Sequence, residues 1–139
     1  MSMRRLALGL AALATAAASV TAVGTGTAHA ATPTCNTAIS YTTVHGFTAT
    51  IPSAGGNVSC LLARGNNGSA VKALQSALND CYGENLVKDG IFGAGTQAAL
   101  RRAQSDEGQT ADGVYGPRTR DAIHWRVPGF ACDRVNGPG

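Results

Sequence analysis

DGIFGAGTQAAL (89–100) and DGVYGPRTRDAI (112–123) are the stretches on which the reading of this chain turns. Asp, Gly, Gly, Thr and Ala are identical between them, and Ile/Val, Phe/Tyr and Leu/Ile are close matches. An internal repeat of this kind is one turn-plus-helix unit used twice. Asp89-Gly90 and Asp112-Gly113 predict tight turns, because Asp accepts local backbone hydrogen bonds and Gly reaches positive φ without a Cβ penalty. Ile91-Phe92 and Val114-Tyr115 then place bulk against a core. Gly93 and Gly116 let the chain turn into a helix, and Thr96 and Thr119 fall in its first turn, where a hydroxyl can satisfy a free N–H.

Working outward, Thr96 to about Gln104 reads as one helix with Leu100 and Ala103 inward. Pro117 to about Arg126 reads as another, since proline suits the first helical turn, and Pro128-Gly129 ends it. Upstream, Val71, Leu74, Leu78 and Cys81 recur on one helical face, which predicts a helix over Ser69–Cys81 with Ser69 able to cap it and Gly83 able to stop it.

The N-terminal part differs. Arg4 and Arg5 precede an apolar, Ala-rich run from Leu6 to Val23, and Ala28-His29-Ala30 is a cleavage pattern, so residues 1–30 read as a secretory signal peptide. The remaining 109 residues carry nine Lys and Arg against eight Asp and Glu, a net charge of +1. That balance calls for neither nucleic acid nor a membrane surface once the signal is removed. Residues 31–60 form an arm rich in Thr, Ser and Gly. Tyr41–Val44 and Phe47–Ile51 flank His45-Gly46 and predict a small β-hairpin, with His45 an exposed turn residue. Cys35, Cys60, Cys81 and Cys132, an even set in a small exported chain, predict two disulfides. The favoured pairing is Cys35–Cys60 with Cys81–Cys132, each pinning a terminal arm, while Cys60–Cys81 stays open. Residues 61–127 are the organised domain and 128–139 a tail anchored by Cys132.

Taken in order, Gly65, Gly68, Val71, Leu74, Gln75 and Leu78, then Asp89, Gly90, Phe92, Gly93, Thr96 and Leu100, then Gln104, Asp112, Gly113, Tyr115, Gly116 and Thr119, resemble the peptidoglycan-binding domain of bacterial cell-wall hydrolases. The exported layout is also similar to small actinobacterial proteins. The resemblance covers about 64–126. It implies a mainly α fold, a compact three-helix bundle carrying the DG-x-[FY]-G-x-x-T repeat with the hairpin arm appended, and peptidoglycan as partner. One departure is visible: Ala103-Gln104 stands where the family often has an aromatic before the glutamine.

The residues argue against catalysis. His45 and His124 show no metal-ligand or triad spacing, the cysteines are claimed by disulfides, and Asp89 and Asp112 are explained as turn residues. The expectation is a secreted, extracellular or wall-associated binding protein with no cofactor and no metal. Arginine takes a carboxylate with two parallel hydrogen bonds, so Arg101 and Arg118 are ligand-binding candidates, joined by Gln104 and Tyr115 for amide and hydroxyl contacts. Arg102 and Arg120 lie on the same helices. The alternative is an exported interaction protein acting as inhibitor or accessory subunit of a cell-wall hydrolase.

Overall fold

The computed structural model describes residues 26, 30–129 and 131–136, so the signal-peptide assignment lies almost wholly outside the described residues. The first helix, α1 (Ser69–Tyr82), buries Ala70, Val71, Leu74, Gln75, Ala77 and Leu78, the face its periodicity predicts. It stops where the Gly83 N–H bonds the Leu78 carbonyl. Ser69 is its first residue rather than its cap; Gly68 takes the cap position and makes no side-chain bond. The second helix, α2 (Ala94–Asp106), starts earlier than the sequence suggests and buries Ala99, Leu100 and Ala103. The third, α3 (Pro117–Ala122), has six residues with proline at its start.

The expectation of a mainly α three-helix bundle is overturned. The arm forms an antiparallel pair, β1 (Thr37–Thr42) with β2 (Thr48–Ser53), and the chain after α3 forms a second pair, β3 (Trp125–Arg126) with β4 (Cys132–Asp133). The third helix does not reach Arg126. Ile123 is already extended, and Trp125 pairs with Asp133, so part of the expected tail is a strand. The repeat itself is half extended. Its turns need backbone partners, since a buried unpaired N–H or C=O is costly, and residues 61–68 supply them. Leu62 and Tyr115 exchange both backbone bonds (3.0 and 2.8 Å), Phe92 donates to Asn66 (2.9 Å) and Gly65 donates to Phe92 (3.0 Å). One short extended segment therefore laces both turns together.

The hairpin lies where the sequence puts it, with a longer turn. Its register runs from Thr37↔Ser53 to Thr42↔Thr48, and the Thr43 N–H closes the loop on the Phe47 carbonyl at 2.8 Å. Two-residue alternation buries Ala49, Ile51 and Ser53 and leaves Thr48 and Thr50 outward. The arm packs on α1 and β3. Its Cys35, Ala49 and Ile51 join the same core as Leu74, Leu78, Phe92, Leu100, Tyr115, Ile123 and Trp125. Tyr115 and Trp125 meet edge-to-face with ring centroids 6.0 Å apart. The disulfides are Cys35–Cys60 and Cys81–Cys132, the favoured pairing. Among the described residues, no helix is long and apolar enough to cross a membrane.

Candidate functional site

The two Asp-Gly turns are held by one device built twice. Gln75, on the buried face of α1, accepts the Gly90 N–H at 2.9 Å through Oε1. Its Nε2 donates to the Ile91 carbonyl at 3.0 Å, Thr96 Oγ1 at 3.1 Å and Asp89 Oδ1 at 3.2 Å. Gln104, on α2, repeats every contact: Gly113 N–H at 2.9 Å, Val114 carbonyl at 2.9 Å, Thr119 Oγ1 at 3.1 Å and Asp112 Oδ1 at 2.9 Å. In each turn the Asp also accepts the N–H two residues on, from Ile91 or Val114, at 2.9 Å. That bond, followed by the one from Gln75, holds the Asp89 carboxyl below the ordinary range. Thr96 and Thr119 thus serve glutamine and a turn carbonyl rather than a helix N–H.

Gly90 and Gly113 have φ of +74° and +70°, and their space is taken as well. A Cβ on Gly90 would stand 2.9 Å from the Gly68 carbonyl oxygen. One on Gly113 would stand 2.7 Å from Gln97 Cγ and 3.0 Å from Arg101 Nε. Arg101 therefore lies over the second Asp-Gly turn. Arg118 comes to the same turn from α3. It lines two adjoining surface cavities, of about 400 and 200 Å³, each shared with Asp112 and Thr119.

The four ligand candidates are thus split by the structure. Gln104 is 1% exposed and committed to the turn network. Tyr115 is fully buried, its hydroxyl has no hydrogen-bond partner among the described residues, and burial pushes its pKa up. Neither side chain offers its polar atoms to a ligand on the surface. Arg101 and Arg118 are exposed and together at the second turn. The other two helix arginines are engaged: Arg102 holds Glu84 through two bonds of 2.7 Å, and Arg120, nearly buried, bonds Asp121 at 2.6 Å and the Val58 carbonyl at 3.1 Å. No such partner holds Arg101 or Arg118 among the described residues. This division is invisible in sequence, where the four look alike. The role of Gln104 was readable in principle, because Leu74-Gln75 and Ala103-Gln104 each precede an Asp-Gly.

His45 and His124 are each tied to a carboxylate. His45 Nδ1 lies 2.8 Å from Asp133 Oδ1, so the hairpin turn is fastened to β4. The Thr43 hydroxyl first, and then His45 and the Arg134 N–H, hold the Asp133 carboxyl down to about 2 against partial burial. His124 Nδ1 lies 2.8 Å from Glu107 Oε1, which also accepts from Tyr82 at 2.7 Å, while Arg134 holds Oε2. Burial pushes Glu107 up, but these three bonds outweigh it and hold its pKa below the ordinary value. Tyr82 is pushed up by burial and by Glu107. Among the described residues no cluster of His, Cys, Asp and Glu could hold a metal ion.

Residues 67–123 match the family described as putative peptidoglycan binding domain. The chain is similar to the zinc D-Ala-D-Ala carboxypeptidase of Streptomyces albus G, with 39% identity over 77 residues, 54% of this chain and 30% of that enzyme. It therefore spans under a third of that relative's length. Similar solved structures are the SleB N-terminal domain (37% identity, 45% of this chain and 85% of that one, TM-score 0.43) and a peptidoglycan-binding protein from Clostridioides difficile in complex with glutamine hydroxamate (35% identity, 53% and 43%, TM-score 0.45).

Proposed function

From the match of residues 67–123 to the peptidoglycan-binding domain family, we propose that this chain is a secreted, non-catalytic protein that binds peptidoglycan through the second Asp-Gly turn. The observation that carries the reading is the pair of exposed arginines, Arg101 and Arg118, without carboxylate partners among the described residues and brought to one turn beside two surface cavities. Peptidoglycan offers carboxylates, amides and hydroxyls, and guanidinium is suited to the first of these. The arm packs on α1 and β3, which supports an open face at this turn. The two disulfides suit an oxidising, extracellular setting. The non-catalytic reading is supported by the use of the polar groups. His45 and His124 each fasten a strand or turn to a carboxylate, and no cysteine is free.

Sedimentation of the oxidised protein with insoluble peptidoglycan, stripped of teichoic acid, tests this. The wild type is expected to sediment. Arg101→Ala and Arg118→Ala should each weaken binding about tenfold or more, the size of a lost charge-assisted bond. Arg102→Ala, which loses only its bond to Glu84, should behave as wild type. A wild type that stays in the supernatant sinks the function. A double arginine variant that sediments normally moves the site elsewhere.

A further inference from the structure

A second concave site lies where the arm meets α1. The groove there encloses about 410 Å³, within the span of about 300–1,000 Å³ usual for small-ligand sites. One wall is a single face of α1, in which Ala73, Ser76 and Ala77 are short and leave the groove deep. The hairpin forms a facing wall through Ala38 and Thr50, and Trp125 of β3 lies along it. Its hairpin and β3 walls fall outside residues 67–123, so the groove is not confined to the matched domain. It shares no residue with the cavities around Arg118.

Charge distinguishes it from a gap in packing. Lys72 and Asp80 stand on the α1 wall and Arg126 on β3, and none of the three belongs to any of the ion pairs among the described residues. Lys72 and Asp80 are separated by about 12 Å along the helix, at 1.5 Å per residue, which is the reach of three to four extended residues at about 3.4 Å each. An occupant complementary to this surface has small side chains, an amine for Asp80, and carboxylates for Lys72 and Arg126. We propose that the groove binds a short extended peptide of small residues carrying more carboxylates than amines. The peptide strands of peptidoglycan supply that chemistry, and on this point of natural source the inference rests on the wall-binding reading above.

The chain's single tryptophan lines the groove, so its fluorescence reports on this site. The full oxidised protein is titrated with the tripeptide Ala-Glu-Ala, with N-acetyl-Ala-Gln-Ala-amide as the uncharged comparison, and backbone amide shifts of α1 are followed in parallel. A saturable response to Ala-Glu-Ala is expected, with shifts confined to the Lys72–Asp80 side of α1. It should weaken at least tenfold for the uncharged peptide, for Lys72→Ala and Arg126→Ala, and for Ala73→Leu, which fills the groove. No saturation at millimolar Ala-Glu-Ala, or equal binding of the uncharged peptide, overturns the proposal. Folding of each variant is checked by its circular dichroism, and the two exposed-residue variants carry the test if Ala73→Leu is unstable. Sedimentation through Arg101 and Arg118 with no peptide response sinks the groove alone. A peptide response without sedimentation supports the groove as a peptide site and removes the wall as its source.

Discussion

Replacing Gln104 with methionine keeps the chain length and removes the amide, and its consequence follows from the contacts on the second Asp-Gly turn. The Gly113 N–H is buried and bonds Gln104 Oε1, so the substitution orphans it. An unsatisfied buried group costs about 1–3 kcal/mol. The Val114 carbonyl loses a bond of 2.9 Å and keeps only the long one from Thr119 at 3.4 Å. Asp112 loses one donor but retains the Val114 N–H at 2.9 Å, on the exposed side of the turn. Together these give a destabilisation of roughly 2–4 kcal/mol. For a domain of this size that is a fall in Tm of roughly 10–25 °C. Gln75→Met removes the same set of bonds from the first turn and should cost the same to within about 1 kcal/mol, the context dependence of such bonds. The two networks share no residue, so their effects should add, and the double variant should approach the whole stability of a small domain, about 5–15 kcal/mol. Thermal and urea unfolding of the oxidised proteins, followed by far-UV circular dichroism, measures all three. At temperatures where Gln104→Met stays folded, it should still sediment with peptidoglycan. A variant with wild-type Tm and lost sedimentation would refute the reasoning, because Gln104 would then be spending its amide on the ligand and not on the turn.

The glycines of the turns should rank by what surrounds them. Gly90→Ala meets the Gly68 backbone and should be the most damaging, Gly113→Ala meets flexible side chains and should be intermediate, and Gly108→Ala, with positive φ but open space, should show only the left-handed strain of about 1–2 kcal/mol; urea midpoints give the order, and a Gly108 variant as damaging as Gly90 would contradict it. Asp133 and Glu107 have folded-state pKa values below their ordinary ones, so the stability they contribute is present above about pH 4–5 and is lost as pH falls through the folded values, which for Asp133 is about 2. Asp133→Asn should lower the urea midpoint at pH 7 and flatten its decline in the acid window, and an unchanged acid profile would show that Asp133 is not part of the transition.

Much of this fold was legible because its signals are local. The α1 face at Val71, Leu74 and Leu78, the Asp-Gly turns, and the hairpin around His45-Gly46 each depend on residues close in sequence. The disulfide pairing preferred for pinning the arms, with Cys60–Cys81 left open, is the one the structure has. What failed was the end of α3. Ala122, Trp125 and Arg126 read as a continued helix, but Trp125 is drawn into the core beside Tyr115, and the strand it forms needs Cys132 and Asp133, whose pairing no local pattern announces. The extended half of each repeat was missed for the same reason, since its partners lie in 61–68. For the candidate site, the residue types were readable and their availability was not. Arg101 and Arg118 differ from Arg102 and Arg120 only through partners that folding brings up, Glu84, Asp121 and the Val58 carbonyl. Gln104 and Tyr115 looked suited to a ligand by chemistry alone, and their burial withdraws their polar atoms.

The two disulfides also fix how the molecule would carry a pull applied at its ends, a relevant load for anything attached to a cell wall under turgor. Tension entering at Cys35 crosses to Cys60, and tension leaving at Cys132 arrives from Cys81. Only the stretch from Cys60 to Cys81 lies in the load path, and fully drawn out it yields roughly 70 Å, at 3.3–3.6 Å per residue. The hairpin and everything from Tyr82 to Ala131 sit on covalently bypassed loops. Asp89, Gln104, Asp112, Arg101 and Arg118 all belong to the second loop, so stretching the chain cannot straighten the second turn directly. A molecule wired in this way behaves as a short tether with its proposed binding surface kept off the rope.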